Sequence, residues 1–345
     1  MARLRRSDCN GPGIARRRRG RGFSYHWPDG SAVQDPEILE RIRALAIPPA
    51  WEDVWICPWP NGHLQATGMD KAGRRQYRYH DAWRQKRDAE KFERIRDFGK
   101  ALPRLRETVE RDLRRKGLGK KRVVAAAVRM LDIGYFRVGS EQYAQENDTY
   151  GVATLLKEHV RRRGAALVFD YDAKGGQRRV IAIEDRQLLP VIDRLKRRRS
   201  GGDRLLAWKR KDGWVDVTSN DVNDYIKRAA GEDFSAKDFR TWSATVMAAV
   251  GLASCAEEPS PAAATRSDRA SRRRINQVVR DVAEAIGDTP AVCRSSYIDP
   301  AVVDRFEQGR TVGRALAGVA NRDEGSIDAG ARCDIERAVL GLLSR

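Results

Sequence analysis

Two arginines, a lysine and a tyrosine stand where phosphoryl chemistry could use them. Arg137 follows directly on the apolar run 123–136, and Arg240 lies inside a second apolar stretch that begins near Ser235. Lys174 falls in the glycine-flanked DAKGGQ (172–177), and Tyr297 in DTPAVCRSSYIDP (288–300). Breaking a phosphodiester needs a nucleophile, stabilisation of charge on the non-bridging oxygens, and a proton for the departing oxygen. The planar, always-charged guanidinium suits the second task, because it pairs bidentately with phosphate. An ammonium crowded by other cations suits the third. An unperturbed phenol, with a pKa of about 10, is only roughly 0.1% ionised at neutral pH, so a tyrosine nucleophile needs cations nearby. Each residue also has a plainer use. Arg137 could bridge to Glu141 or Glu146, and Arg240 to Asp238. A turn lysine is usually solvated, and a tyrosine between two helices usually packs. Singly, the four leave the question open.

The segments that must position these residues are legible in outline. Short apolar runs broken by Pro, Gly, Asp and Asn fill 23–79, where Trp55-Ile56-Cys57 and the turn signal Pro60-Asn61-Gly62 predict strands. Helical periodicity begins near Asp81, with Leu102, Leu105, Val109 and Leu113 on one face. The run 123–136 is apolar nearly all round, which marks a helix buried in a core. Residues 165–171 and 178–184 predict a hairpin with Lys174 near its tip. Helices are expected over 186–199, 219–230 and 268–286, and from an N-cap at Ser235 with Asp238 at N3 to about Ser254. A Pro-rich loop is expected over 256–266, and Asp288-Thr289-Pro290 should stop the helix before it.

Composition bounds the partners. The 345 residues carry 67 Lys+Arg against 48 Asp+Glu, a net charge of +19. Residues 1–22 hold eight Arg and one Asp, or +7, which leaves +12 on the rest. A basic body as well as a basic terminus points to a polyanion, of which nucleic acid is the commonest. Five scattered cysteines without CxxC spacing, and four histidines, argue against a disulfide framework or a zinc site. No apolar run is long enough to span a membrane, and no apolar segment follows the basic start as in a secretory signal. A soluble cytoplasmic protein is expected, associated with the nucleoid if the source is bacterial. The expected divisions are a disordered basic arm over 1–22, a β-rich domain over 23–98, a helical domain over 99–320 and a tail over 321–345.

In this order and at these separations, the Arg137 helix end, the Lys174 hairpin, the Lys237–Arg240 helix and the TPxxCRxSY segment around Tyr297 resemble the catalytic elements of type IB DNA topoisomerases. The likeness is to the compact poxvirus and bacterial branch and covers nearly all of 23–315. IPPAW (47–51) and GRRQYRYHDAWRQKRDAEKFERI (73–95) extend it. The resemblance implies an α+β protein, with a small β-rich N-terminal domain and a larger, mainly α-helical catalytic domain of the DNA breaking–rejoining type. By the same likeness Tyr297 attacks the scissile phosphate, leaving a 3′-phosphotyrosyl link and a free 5′-hydroxyl. Arg137 and Arg240 hold the non-bridging oxygens, and Lys174 protonates the leaving 5′-oxygen. Gln76, Tyr77, Tyr79 and Lys237 contact DNA. A monomer closing on duplex DNA, with no ATP, metal or other cofactor, is what the family pattern implies. The sequence carries no GxxxxGK[ST] loop and no clustered carboxylates for a two-metal site.

One position departs from that pattern. Nine residues before the tyrosine, viral and eukaryotic members carry a histidine and bacterial relatives tend to carry an amide; this chain has Asp288. An ionised carboxylate about 6 Å from a phosphate costs ~3 kcal/mol at an effective dielectric of 20. The residue can turn away as a cap, be protonated, or pair with a cation such as Arg294; the following Thr-Pro favours a cap. Two rival functions use the same residues. A tyrosine recombinase shares Arg, Lys, Arg and Tyr, but usually has His-x-x-Arg where Lys237-Asp238-Phe239-Arg240 stands here. A non-catalytic DNA-binding protein would also use the basic surface and the aromatic-rich domain.

Overall fold

Short strands over 14–79 form a five-stranded antiparallel sheet in the computed structural model, which describes residues 3–257, 268–320 and 329–344. Strands β1 (Ile14–Arg19), β2 (Gly22–His26), β3 (Glu52–Ile56), β4 (Leu64–Met69) and β5 (Arg75–Tyr79) lie in the order β2-β1-β3-β4-β5. Helix α1 (Pro36–Ala44) follows β2 in the chain. Asp35 caps it by accepting from the backbone N–H groups of Glu37 and Ile38, and Pro36 presets its first turn. Ile42 from this helix joins Ile14, Val33, Val54, Ile56 and Ala66 in the first unit's core.

The expected disordered arm over 1–22 is not what forms. Ile14 is fully buried, β1 pairs with β3 through Ile14 opposite Ile56, and Arg16–Arg19 pair with β2. The arginine run conceals a strand. Arg16 donates to the carbonyls of Ile47, Pro48 and Trp51 and lies over the Phe23 ring, while Arg17, Arg18 and Arg19 face solvent. Farther upstream, Arg5 exchanges backbone hydrogen bonds with Asn61 and His63, and its guanidinium sits 3.7 Å from the Trp59 ring centre. High charge density lowered the expectation of order, but a strand needs only backbone pairing and one buried side chain in two.

The chain divides into two compact units, Met1–Glu93 and Arg94–Arg345, and the division falls within helix α2 (Asp81–Leu113) rather than at 98/99. The second unit continues with α3 (Lys120–Gly134), α4 (Glu141–Asn147), the three-stranded sheet β6 (Val160–Arg163), β7 (Ala166–Ala173) and β8 (Gln177–Glu184), and α5 (Leu188–Lys196). A two-stranded ribbon of β9 (Ala207–Arg210) and β10 (Gly213–Asp216) precedes α6 (Ser219–Ala230), α7 (Ala236–Glu257), α8 (Asp268–Ile286), α9 (Pro290–Ser296), α10 (Pro300–Glu307), α11 (Gly313–Ala320) and α12 (Ala329–Leu343). As its composition predicts, α3 is buried nearly all round, from Val123 through Leu131. The loop expected over 256–266 falls for the most part outside the described residues. Where a C-terminal tail was expected, α12 packs into the same core through Val339 and Leu343; the preceding 321–328 lie outside the described residues. No helix among the described residues is long and apolar enough to cross a membrane.

Buried charges join α2, α3 and α12. Asp132 of α3 accepts two hydrogen bonds of 2.9 Å from Arg106 and one of 2.8 Å from Arg332, and Glu336 also receives Arg106, at 2.6 and 2.8 Å. Burial pushes the Asp132 carboxyl up, but Arg332 and Arg106 outweigh it and hold it below the usual carboxylate range. Its stabilising contribution is therefore present above the unfolded pKa and is lost as pH falls through the lower folded value. Asp132→Asn should cost about 3 kcal/mol at pH 7, because it leaves buried guanidiniums short of a counter-charge. Urea unfolding at neutral and strongly acid pH checks this: the variant and the parent should converge in acid. Equal stability at pH 7 would refute it.

Candidate active site

The buried helix α3 ends in a sharp reversal that aims Arg137. Tyr135, its C-cap, takes the left-handed backbone conformation with φ 55°. The carbonyls of Arg137 and Val138 then accept from the N–H groups of Val152 and Ala153, both at 2.8 Å. That pairing brings Gly151 so close that a Cβ there would lie 2.6 Å from the Arg137 carbonyl oxygen, so the position requires glycine.

Arg240 arrives from the first turns of α7. Ser235 precedes this helix and forms half of the expected capping box, its N–H and hydroxyl both donating to Asp238, which also receives Arg94 at 2.8 Å. Asp238 is thus engaged elsewhere, and Arg240 is free to reach inward. Only 5% of its side chain is exposed. One nitrogen donates to the Tyr135 carbonyl at 2.8 Å and another to Asp288 Oδ2 at 3.0 Å. Arg137 donates to the same Oδ2 at 2.8 Å and to the Gly287 carbonyl at 2.8 Å. Two guanidiniums 103 positions apart in sequence (240 − 137) therefore meet on one oxygen atom. Burial first, then the Arg240 charge, lower the Arg137 pKa, while Asp288 opposes them; a guanidinium nonetheless stays charged.

Asp288 is not the cap that the sequence suggested, and its partner is not Arg294, which donates to Asn276 instead. Helix α8 closes in a Schellman turn, with Gly287 at φ 65°, its N–H on the Glu284 carbonyl and the Asp288 N–H on the Ala283 carbonyl. Thr289 is the residue that caps α9, accepting from the Val292 N–H. The Asp288 side chain is left to face the arginines.

Tyr297 ends α9, half-buried, with its ring centre 5.2 Å from the Arg240 guanidinium carbon. Its backbone is fixed on both sides. Its N–H donates to the Cys293 carbonyl, and its own carbonyl accepts from Thr245 of α7. Asp299, which caps α10 and pairs with Arg96 at 3.0 Å, secures the chain two residues on. Four residues before Tyr297, burial pushes the Cys293 thiol up to about 11, so it stays protonated at neutral pH.

Lys174 stands exposed on the turn between β7 and β8, where Gly175 and Gly176 both have positive φ. It shares with Arg137 the lining of a cavity of about 340 Å³, together with Gly139, Tyr150, Ser219 and Asn223. Lys237, on α7, is exposed. In the first unit, Tyr77 and Tyr79 project from one face of β5 with stacked rings 6.0 Å apart. Gln76 alternates to the other face and donates to Asp70 at 2.9 Å.

Sequence reasoning missed Arg179. This β8 residue donates to the carbonyls of Glu284 and Ala285 at the end of α8, at 2.8 and 2.6 Å, and interacts with buried Tyr171 of β7. Burial raises the Tyr171 phenol to about 12, so it is neutral at physiological pH, stacked on Phe136 at 5.6 Å. Arg179 therefore ties the hairpin that carries Lys174 to the turn that carries Asp288. Strand alternation predicts its face, but nothing local names so distant a partner. Arg179→Ala should lower the maximal single-turnover rate at this site by roughly 10- to 100-fold through misplacement, with little change in KM. Single-turnover rates across substrate concentrations measure both, and a loss confined to KM would refute the positioning role.

Residues 80–311 match the family model described as "Eukaryotic DNA topoisomerase I, catalytic core", and residues 22–70 match "Bacterial DNA topoisomerase IB, N-terminal domain". A curated relative, "DNA topoisomerase 1B" of Acanthamoeba polyphaga mimivirus, is 33% identical over 291 residues, covering 83% of this chain and 85% of that one.

Proposed function

The chain belongs to the type IB DNA topoisomerases, and from that footing we propose that it relaxes supercoiled duplex DNA by opening and resealing one strand through Tyr297. The observation that carries the assignment of residues is the convergence of Arg137 and Arg240 on a single oxygen beside the Tyr297 ring. In the reaction the Tyr297 oxygen forms a bond to phosphorus, and the bond from phosphorus to the 5′-oxygen breaks. The phenol proton passes to solvent. Arg137 and Arg240 hold the two non-bridging oxygens as negative charge builds, where preorganised donors act most strongly. Lys174, on its two-glycine turn, delivers a proton to the departing 5′-oxygen. Resealing runs the same steps backwards, and the phosphotyrosyl ester conserves the energy of the broken bond. A nucleotide cofactor is therefore unnecessary.

DNA affinity rests mainly on phosphate contacts by the surplus of cations, including the exposed Arg17–Arg19 of β1 and Lys237. Tyr77 and Tyr79, side by side and exposed, are suited to lie against bases or backbone, and Gln76 beside them contributes from the opposite face. The protein works as a monomer in the compartment that holds the DNA, the cytoplasm in a bacterium.

Covalent capture tests the proposal. Protein and supercoiled plasmid are mixed without ATP and quenched with detergent, and the DNA is examined for linked protein and for relaxation. The expected result is relaxed circles, with an adduct at a 3′ end. Relaxation without any adduct would remove the tyrosine mechanism, and adducts at 5′ ends would overturn the departure of the 5′-oxygen.

A further inference from the structure

The oxygen on which the two arginines meet belongs to the protein itself. Asp288 Oδ2 lies 2.8 Å from Arg137 Nη2 and 3.0 Å from Arg240 Nη2, and the Asp288 side chain is 14% exposed. We propose that Asp288 is an internal stand-in for the scissile phosphate: a positioning residue that keeps Arg137 and Arg240 converged before DNA arrives and yields its place to a phosphodiester oxygen. This rests on reading Arg137 and Arg240 as the phosphate-binding pair.

Several features of the site carry the inference. Two adjacent guanidiniums repel, and mutual repulsion contributes to the perturbation of Arg137, so an anion between them is what lets both point inward. The carboxylate is presented by a fixed backbone, since the Schellman turn anchors the Asp288 N–H and the Gly287 carbonyl is itself bonded to Arg137. The fit is also incomplete. Both forks crowd one oxygen, whereas a phosphodiester offers two non-bridging oxygens of equal charge, one for each fork. The phosphate is thus the better ligand, and Arg137, at 22% exposed, opens onto the cavity that Lys174 lines. A histidine or an amide at this place adds a donor for phosphate; an aspartate must leave instead. The site therefore begins closed, and apparent affinity for any tetrahedral oxyanion is reduced by the fraction of molecules in which it is open.

The probe is sodium orthovanadate, titrated calorimetrically into the full chain without DNA. Asp288→Asn keeps the shape and removes the charge, and should bind orthovanadate roughly tenfold or more tightly than the parent. Adding Arg240→Ala to that variant should abolish the gain. Asp288→Ser provides a second variant with the same expected direction should the amide fold poorly. In single-turnover cleavage, Asp288→Asn should raise adduct formation at limiting DNA several-fold. Equal or weaker vanadate binding by both variants, or a gain that survives Arg240→Ala, would overturn the inference. So would a cleavage rate about a hundredfold lower in Asp288→Asn, which would mean that the carboxylate itself takes part in the reaction. If the parent forms no adduct, the topoisomerase chemistry assigned to Tyr297 fails while the vanadate comparison still stands. If adducts form and vanadate binding does not change, only the stand-in role fails.

Discussion

Tyr297→Phe should form no covalent protein–DNA adduct and should relax plasmid at least about 10⁴-fold more slowly than the parent, since removal of a nucleophile leaves only binding and charge stabilisation. The substitution separates chemistry from architecture unusually well. The ring that faces Arg240 at 5.2 Å remains, and the contacts that fix residue 297, to the Cys293 carbonyl and from the Thr245 hydroxyl, are made by the backbone. Melting temperature and noncovalent DNA affinity should therefore stay close to those of the parent. Gel-resolved adducts after detergent quench, measured beside a DNA-binding isotherm, decide the matter. Adduct formation by the phenylalanine variant would place the nucleophile elsewhere.

The second large effect is expected at Arg240. Alanine there should slow single-turnover cleavage by about 10²–10³-fold, the usual loss when one preorganised donor to a developing oxyanion is removed. Lysine should recover little of it. A guanidinium serves the Tyr135 carbonyl and the anion site at once from two nitrogens, and an ammonium is a single point of charge that cannot span both. The fold should tolerate the change better than the chemistry does, because Asp288 keeps Arg137 as a partner and is not left as an unpaired buried charge. Retention of cleavage within about tenfold in both variants would show that Arg240 is structural and that transition-state charge is met by other groups.

What could be read without coordinates follows from the range of the forces involved. The buried run of α3, the hairpin at Lys174 and the Ser235–Asp238 pair that opens α7 are local features with local signatures, and all three stand where the residues put them. The four candidate side chains were singled out by their order and separation. The structure brings Arg137, Arg240 and Tyr297 together and joins Lys174 to Arg137 through a shared cavity. The partners of the ionised groups were not legible. Neighbouring Glu141, Glu146 and Asp238 were the obvious counter-ions, yet the arginines reach Asp288, a hundred and fifty-one positions from Arg137. Ion pairing has no periodicity, and a carboxylate brought close by tertiary packing outcompetes one nearby in sequence. The same blindness affected β1, where four consecutive arginines masked a strand paired on both edges.

The ion network around Asp132 has a consequence for biosynthesis. Arg106 and Asp132 are made early, and their later partners, Glu336 for Arg106 and Arg332 for Asp132, follow 230 and 200 positions on. Asp132 lies on the helix that delivers Arg137, less than two turns before it. Until α12 forms, Arg106 and Asp132 have each other, but Arg106 lacks Glu336 and Asp132 lacks Arg332, at the base of the segment that carries Arg137. A product that stops before α12 should therefore be less stable at the base of the segment that carries Arg137.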